Sequence, residues 1–581
     1  MGALILAPGG DGFIIGVTPR VQVIDGQQRL TTFQLFLAAL REVGQRIGVP
    51  DIDSLVHSYL HVPRMTGDTK PDATFRLIPT PEDRAVFHLI VGKGLDGIRS
   101  AHPEFFHQNG NIKKHTAPKS LRAFWFFVER IERYAQSGLV DENETAMPLG
   151  GDDDSDDASR LHALLQALLN HLKLVVITLS EDDDAQVIFE TLNSKAEPLL
   201  AMDLVRNNIF HRAAAQGESV EDLFQNKWRL FDSDGPFWKG DSPRAKPKRP
   251  RIDHFLSHAL TAQTGEETSL RELYSEYRAF TRPKGKARFQ TVEAELDALV
   301  SFAPVYRELE EATGDSDLAW IGRKLHLWEV STAYPLTFRI AVSHAEQSEK
   351  RRLYTLIYSY LVRRALCGLT PKSLNKTFAR LTRQMIASGV SVESFKVGFA
   401  EQRGDAVRFP DDAELRVAIQ SKPAYHMLSR KDRLAELLWD LEIATRDKFA
   451  VATPRPPSMS VEHIMPQAWT NHWALDDGRL VPRDKMIGSD AAMQREIQAR
   501  DGALHTLGNL TLITVPGNSV ASDSEFSEKA PWLAKSLLAL NLEIIEKEQM
   551  TGSDKVLWNV ARISNRSNVL ASRAVLVWPA P

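Results

Sequence analysis

The chain has 581 residues, 43% of them hydrophobic and 25% charged, with a net charge of −4; at ~150 residues per domain this is enough for about three to four ordinary globular domains. The charge excludes a globally basic nucleic-acid binder and leaves any DNA contact to local patches, while the single cysteine, Cys367, excludes a disulfide framework or a cysteine-rich zinc site and suits a reducing cytoplasm. No apolar run reaches the ~18 residues a membrane span needs.

The opening Met1–Ala7 lacks a basic flank and is broken by Pro8-Gly-Gly-Asp-Gly, so it reads as a strand and not as a signal peptide. Phe13–Val17 and Val21–Ile24 are further β-branched runs, and Asp25-Gly26 is a turn signal. Leu30, Phe33, Leu37 and Leu40 then recur at helical spacing. Residues 119–138 form an aromatic-rich amphipathic pattern, and Gly150–Asp157 is an acidic, solvated loop. Leu172–Leu179 predicts a strand. Helices follow over 182–191 and 203–213, the second with Asp203 as its N-cap. Arg244–Arg251 is a basic, proline-broken linker, residues 252–445 are mainly helical, and Pro454–Pro457 is a stiff entry to the last segment.

That last segment carries the densest chemistry. Glu462-His463 precedes Ile-Met-Pro466, and Asn509 and Asn518 lie in and beyond His505-Thr-Leu-Gly-Asn-Leu. Phosphodiester hydrolysis needs a nucleophile, charge neutralisation and a stabilised leaving oxygen, and a hard cation held by one or two protein oxygens supplies the last two. Glu462 and Asn518 are candidate Mg²⁺ ligands and His463 a candidate base, because a neutral imidazole is available near pH 7. Neighbours on a strand point to opposite faces, so both serve one site only where the strand ends or twists, as Pro466 indicates. Asn509 follows Gly508 in a turn and reads as a loop brace. His505 reads as a packed or solvent histidine, and Trp469 and Trp473 as core or lid residues.

The second candidate is Val23–Thr32, a strand ending in Asp25-Gly26 followed by Gln27, Gln28, Arg29 and the start of a helix. Free N–H groups at a helix start favour an anion. Arg29 suits a phosphate clamp, Asp25 a cation or water, and the glutamines a polar ligand; the plain reading is a strand-turn-helix with a surface arginine.

The pieces V-E-H-I-M-P-Q (461–467), H-T-L-G-N-L-T-L-I (505–513), Asn518, Phe526 and Lys529 resemble the HNH, or ββα-metal, nuclease motif in its GmrD-type form. The acid-histidine…Asn…Asn order is also similar to that of the HNH domain of CRISPR effectors. The resemblance implies Glu462 and Asn518 as ligands of Mg²⁺ or Mn²⁺ and His463 as base. Asn509, grouped with His463 in the catalytic set, would be the brace, and Lys529 a DNA phosphate contact. V-I-D-G-Q-Q-R-L-T-T (23–32) resembles the GmrS-type signature, with a ParB/sulfiredoxin-like fold. It implies that Asp25, Gly26, Gln27, Gln28 and Arg29 hold a nucleoside triphosphate, and Asn193 of a second block over 188–210 either caps a helix or touches that nucleotide. Arg206 of that block, and Arg363 and Arg364 of a third, are further candidate DNA contacts, the plain reading being solvated or paired helix arginines. Two departures stand out. Family members carry an aromatic and arginine-containing segment before the D-G-Q-Q-R block for which this chain begins too late, and Ala196 replaces a loop glycine, at a cost of about 1 kcal/mol if that position needs a positive φ.

The expected architecture is a multidomain, largely helical α+β protein. It has a GmrS-type, ParB/sulfiredoxin-like domain over 1–215 lacking its first segment, a helical middle over 216–395, and a GmrD-type HNH domain over 396–581. The expected function is that of a cytoplasmic DNA endonuclease of the modification-dependent, anti-phage restriction type, regulated by nucleotide and acting on modified phage DNA. A homodimer would supply the two sites a double-strand break needs. The alternative is a DNA- or nucleotide-binding regulator whose nuclease site is inactive or needs a partner. Two basic runs, Arg244–Arg251 and the set Arg278, Arg282, Lys284, Lys286 and Arg288, suit either a phosphate backbone or a solubilising role.

Overall fold

Strand β1 (Ala3–Pro8) is the centre of a three-stranded sheet in the computed structural model, antiparallel to β2 (Val21–Asp25) and parallel to β3 (Val175–Thr178). The structure describes the chain outside residues 1–2, 9–15, 70, 80, 138–155, 180–200, 244–247, 283–287, 401, 403, 447–454, 457, 472, 476–477, 482–489, 515–525 and 550–557. The apolar opening of the sequence explains its central place: Leu4, Ile5 and Ala7 are all buried, as a strand covered on both faces requires. Of the expected strand Phe13–Val17, residues 13–15 lie outside the described residues, and Gly16 and Val17 form a turn.

One residue, Gly26, separates β2 from α1 (Gln27–Arg46). Its φ of 94° is left-handed, and a Cβ there would lie 2.2 Å from Leu4 Cδ2. Only glycine meets both conditions without strain. The predicted helical stripe is borne out, with Leu37 and Leu40 in a core shared with α2 (Asp51–Leu60), α3 (Pro81–Ala101), α4 (Lys119–Ser137) and α5 (Asp157–His171). The helix expected over 182–191 lies outside the described residues. α6 (Ala201–Ala215) replaces the helix expected from 203: Asp203 sits within its first turn and pairs with Arg206 (3.3 Å), so it is not the N-cap.

The chain divides into two compact units, Met1–Asn226 and Lys227–Pro581. The second unit takes in both the expected helical middle and the expected C-terminal domain. The reason is visible in two arginines. Arg363 and Arg364 lie on α8 (Gln347–Leu366), downstream of α7 (Arg251–Thr264), and both are buried. Arg363 donates to the carbonyls of Trp578 (2.7 Å) and Pro410 (3.0 Å) and pairs with Asp412 (2.6 Å). Arg364 donates to the carbonyls of Arg408, Asp405 and Ala406, each at 3.0 Å, and to that of Thr370. The expected DNA contact is therefore corrected for both: Arg363 ties its helix to the chain end and Arg364 ties it to the loop over 405–408, and a buried charge so committed is not offered to a phosphate.

The same unit continues through α9 (Asp412–Ser421), α10 (Ala424–Met427) and α11 (Lys431–Thr445). Strands β4 (Met459–His463) and β5 (Leu510–Thr514) then pair antiparallel, with Glu462 opposite Thr511 and His463 opposite Leu510. Between them runs α12 (Ala491–Leu504); after them come α13 (Phe526–Lys535), α14 (Ala539–Gln549) and α15 (Val560–Val577). Three members of the basic runs are engaged within this unit. Arg249 pairs with Asp253 (3.6 Å), and Arg251 and Arg288 stack on Phe237 (5.0 Å) and Phe280 (4.5 Å).

Gly26→Ala is expected to lower the stability of the N-terminal unit by about 2–4 kcal/mol, the sum of a left-handed alanine and an overpacked contact. Denaturant unfolding followed by circular dichroism measures it; a variant within about 0.5 kcal/mol of wild type, the usual range of a neutral surface change, would contradict the geometry.

Candidate active site

Strand β4 ends at His463, and the two adjacent side chains find different partners, as strand alternation requires. Glu462 Oε1 receives Lys529 Nζ at 3.0 Å from α13. His463 turns its ring toward His505 and Tyr425: Nε2 lies 3.1 Å from His505 Nδ1, and the ring stands edge-on to Tyr425 at 4.4 Å. Lys529 joins the two, because its ammonium also donates to the His463 carbonyl at 3.0 Å. The expectation that Lys529 contacts DNA phosphate is corrected here. Lys529 is only 3% exposed, and its charge is held against the acid at the strand end.

Asn509 holds the strand exit. It is fully buried, and its carboxamide accepts from Met465 N–H (2.9 Å) and Trp558 Nε1–H (3.0 Å) while donating to the carbonyls of Met465 and Leu504 (both 2.9 Å). Both amide hydrogens and both oxygen lone pairs are thus engaged within the protein, which makes Asn509 a brace. Gly508 allows α15 to close on this turn. A Cβ there would meet Ser567 Oγ at 2.1 Å and the Ile563 carbonyl at 2.4 Å. Arg566 of α15 donates to the carbonyls of Gly508 (2.9 Å) and Leu510 (2.7 Å). Trp469 is buried and donates to Asp501 (3.0 Å), which settles it as a core residue.

The reading from sequence missed three groups: His505 as a partner of His463, and Tyr425 and His426 of α10. His426 packs on His505 with ring centroids 3.9 Å apart, and Tyr425 N–H donates to the His505 carbonyl (3.2 Å). The signal for His505 was its place four residues before Asn509; nothing in the sequence ties Tyr425 or His426 to a segment some 40 residues on. Asn518 and Asn193 lie outside the described residues.

Burial drives the His463 pKa down to about 3, and the neighbouring His505, Lys529, His426 and Lys431 push in the same direction. His505 is lowered too, by burial first and then by His426 and Lys431. Both rings are therefore neutral near pH 7, without the second proton that would charge them, while the burial that keeps His463 neutral also weakens it as a base.

For a hard divalent cation, Glu462 is a suitable oxygen donor: its side chain keeps 18% exposure and already stabilises a positive charge at 3.0 Å. The other expected ligand is Asn518, and among the described residues no group of three acidic, histidine or cysteine side chains is arranged for a metal. At the other end of the chain, Asp25 Oδ1 accepts from Gly26 N–H (2.7 Å), Gln27 Nε2 donates to the Val23 carbonyl (3.0 Å), and Arg29 lies 3.6 Å from Asp25. Gln28 is exposed. These contacts make the turn; the N-cap position of α1 is Gly26, which has no side chain to cap the helix.

The depressed pKa of His463 has a consequence for stability. The unfolded chain protonates this ring near pH 6.5, but the native ring stays neutral down to about pH 3. Below pH 6.5 the unfolded state binds the extra proton, so native stability falls with falling pH. Between pH 7.5 and 5 His463 is expected to account for about 2 kcal/mol of that loss. Urea unfolding at the two pH values checks it: His463→Gln should flatten the decline by about that amount, and an unchanged slope would contradict the burial.

Residues 409–573 match the family described as GmrSD restriction endonucleases, C-terminal domain, and residues 1–210 match the GmrSD restriction endonuclease N-terminal domain. No curated protein matches the chain. No helix among the described residues is long and apolar enough to cross a membrane. With matches at both ends in the order expected of one continuous protein, the chain belongs to the GmrSD restriction endonuclease family.

Proposed function

We propose that this restriction endonuclease hydrolyses DNA phosphodiesters at the end of β4, by an HNH-type site in which His463 is the general base. One observation carries the reading. Adjacent residues at the end of one strand present a neutral, buried imidazole and a carboxylate held by a buried ammonium, His463 Nε2 against His505 and Glu462 Oε1 against Lys529. The order of elements, β4, β5 and then α13 supplying Lys529, supports a ββα-metal arrangement. His463 takes the proton of the attacking water. Lys529 keeps the Glu462 carboxylate oriented, and Asn509 keeps the strand exit from moving. Glu462 and Asn518 would hold Mg²⁺ or Mn²⁺, which when bound neutralises the phosphate and stabilises the departing oxygen.

In the N-terminal unit, the left-handed Gly26 turn, which gives α1 an N-cap without a side chain, supports binding of a nucleoside triphosphate at Asp25–Arg29 that regulates cutting. Modified phage DNA is the proposed substrate, in the cytoplasm, and two copies of the chain are proposed to supply the two cuts of a double-strand break.

His463→Ala is expected to reduce nicking of supercoiled DNA in Mg²⁺ by roughly 10²- to 10⁴-fold, the range for loss of a positioned base, with the circular dichroism spectrum unchanged. Cleavage by the folded variant at the wild-type rate would remove His463 from the reaction.

A further inference from the structure

We infer that His505 is a positioning residue for His463: its Nδ1 accepts the hydrogen of His463 Nε2 and thereby leaves His463 Nδ1 as the lone-pair nitrogen of the base. The inference rests on the reading of His463 as base and goes one residue beyond it.

The geometry allows two directions for the 3.1 Å contact between the rings. If His505 Nδ1 carried the hydrogen, it would donate to His463 Nε2. His463 would then hold its own hydrogen on Nδ1, and neither of its nitrogens would have a lone pair to spare. If His463 Nε2 carries the hydrogen, His505 Nδ1 accepts it and His463 Nδ1 is left as an acceptor for a proton. Only the second arrangement gives a working base. The partner of one ring nitrogen sets the state of the other, and a base oriented by a third group is the recurring design of such sites.

His505 is itself held firmly enough to orient another ring. It packs on His426 (3.9 Å between centroids) and lies nearly parallel to Tyr425 (22°, 5.8 Å), and its carbonyl receives the Tyr425 N–H at 3.2 Å. Tyr425 also stands against the His463 ring. Both histidines are thus clamped from α10. They meet nearly perpendicular, at 84°, which directs the edge of one ring at the other and suits a hydrogen bond better than a stack.

Packing and positioning make opposite predictions for two substitutions. His505→Phe keeps an aromatic ring against His426 and Tyr425 but has no acceptor. His505→Asn loses the ring but keeps an amide oxygen where Nδ1 stood. Steady-state nicking of supercoiled plasmid in Mg²⁺ is measured for wild type, both variants and His463→Ala. The expected result is a kcat lowered about tenfold or more in His505→Phe with KM unchanged, and largely restored in His505→Asn. Wild-type kcat in His505→Phe, or an inactive, folded His505→Asn beside an active His505→Phe, overturns the inference. Should His505→Phe fail to fold, His505→Gln takes its place: its amide reaches one bond too far, and activity equal to that of His505→Asn would also overturn the assignment. The His463→Ala arm separates the two levels. If that variant is as active as wild type, the base itself is wrong; if it is inactive while His505→Phe is fully active, only the role of His505 falls.

Discussion

The carboxamide of Asn509 is the interaction on which the site depends. Its four hydrogen bonds join the exit of β4 at Met465, the end of α12 at Leu504 and the indole of Trp558, all in a fully buried position. A buried amide with every donor and acceptor satisfied rigidifies its surroundings, whereas one left partly unsatisfied costs about 1–3 kcal/mol per group. Because the three segments meet at one side chain, the position of His463, two residues before Met465, is coupled to the turn that begins β5.

Around that brace the protein keeps two kinds of charge apart at a single strand end. On one side Glu462 meets a buried ammonium. On the other the His463 ring is surrounded by burial and by cationic or neutral neighbours that keep it unprotonated. Strand alternation makes this possible with adjacent residues, since the hydrogen-bond partner of the imidazole is His505 and that of the carboxylate is Lys529. Breaking the Lys529–Glu462 pair would leave an uncompensated buried charge, so the ion pair binds α13 to β4 as well as shaping the site.

Much of this was legible in the sequence, and the reasons differ by residue. Gly26 was visible as part of an Asp-Gly turn, and the helix after it as a stripe through Leu37 and Leu40, because both are local rules of backbone and periodicity. Asn509 reads as a brace for a similarly local reason, its place after Gly508 in a turn. Arg363, Arg364 and Lys529 were misread as DNA contacts because a positive charge in a sequence carries no sign of burial. Their partners are carbonyls of Trp578, Pro410 and Arg408, and the acid at 462, tens to hundreds of residues distant. That the helical middle and the C-terminal segment share one compact unit has the same origin, since α8 and the chain end are tied by contacts that no local pattern encodes.

Amide hydrogen exchange read by mass spectrometry tests the central claim, that Asn509 locks the strand exit and the following turn into one cooperative element. The peptides covering 461–466 and 504–510 should be strongly protected in the wild-type protein and should lose that protection together in Asn509→Ala, while peptides of α8 retain theirs. Rapid exchange of either peptide in the wild type, or loss of one without the other in the variant, would contradict it.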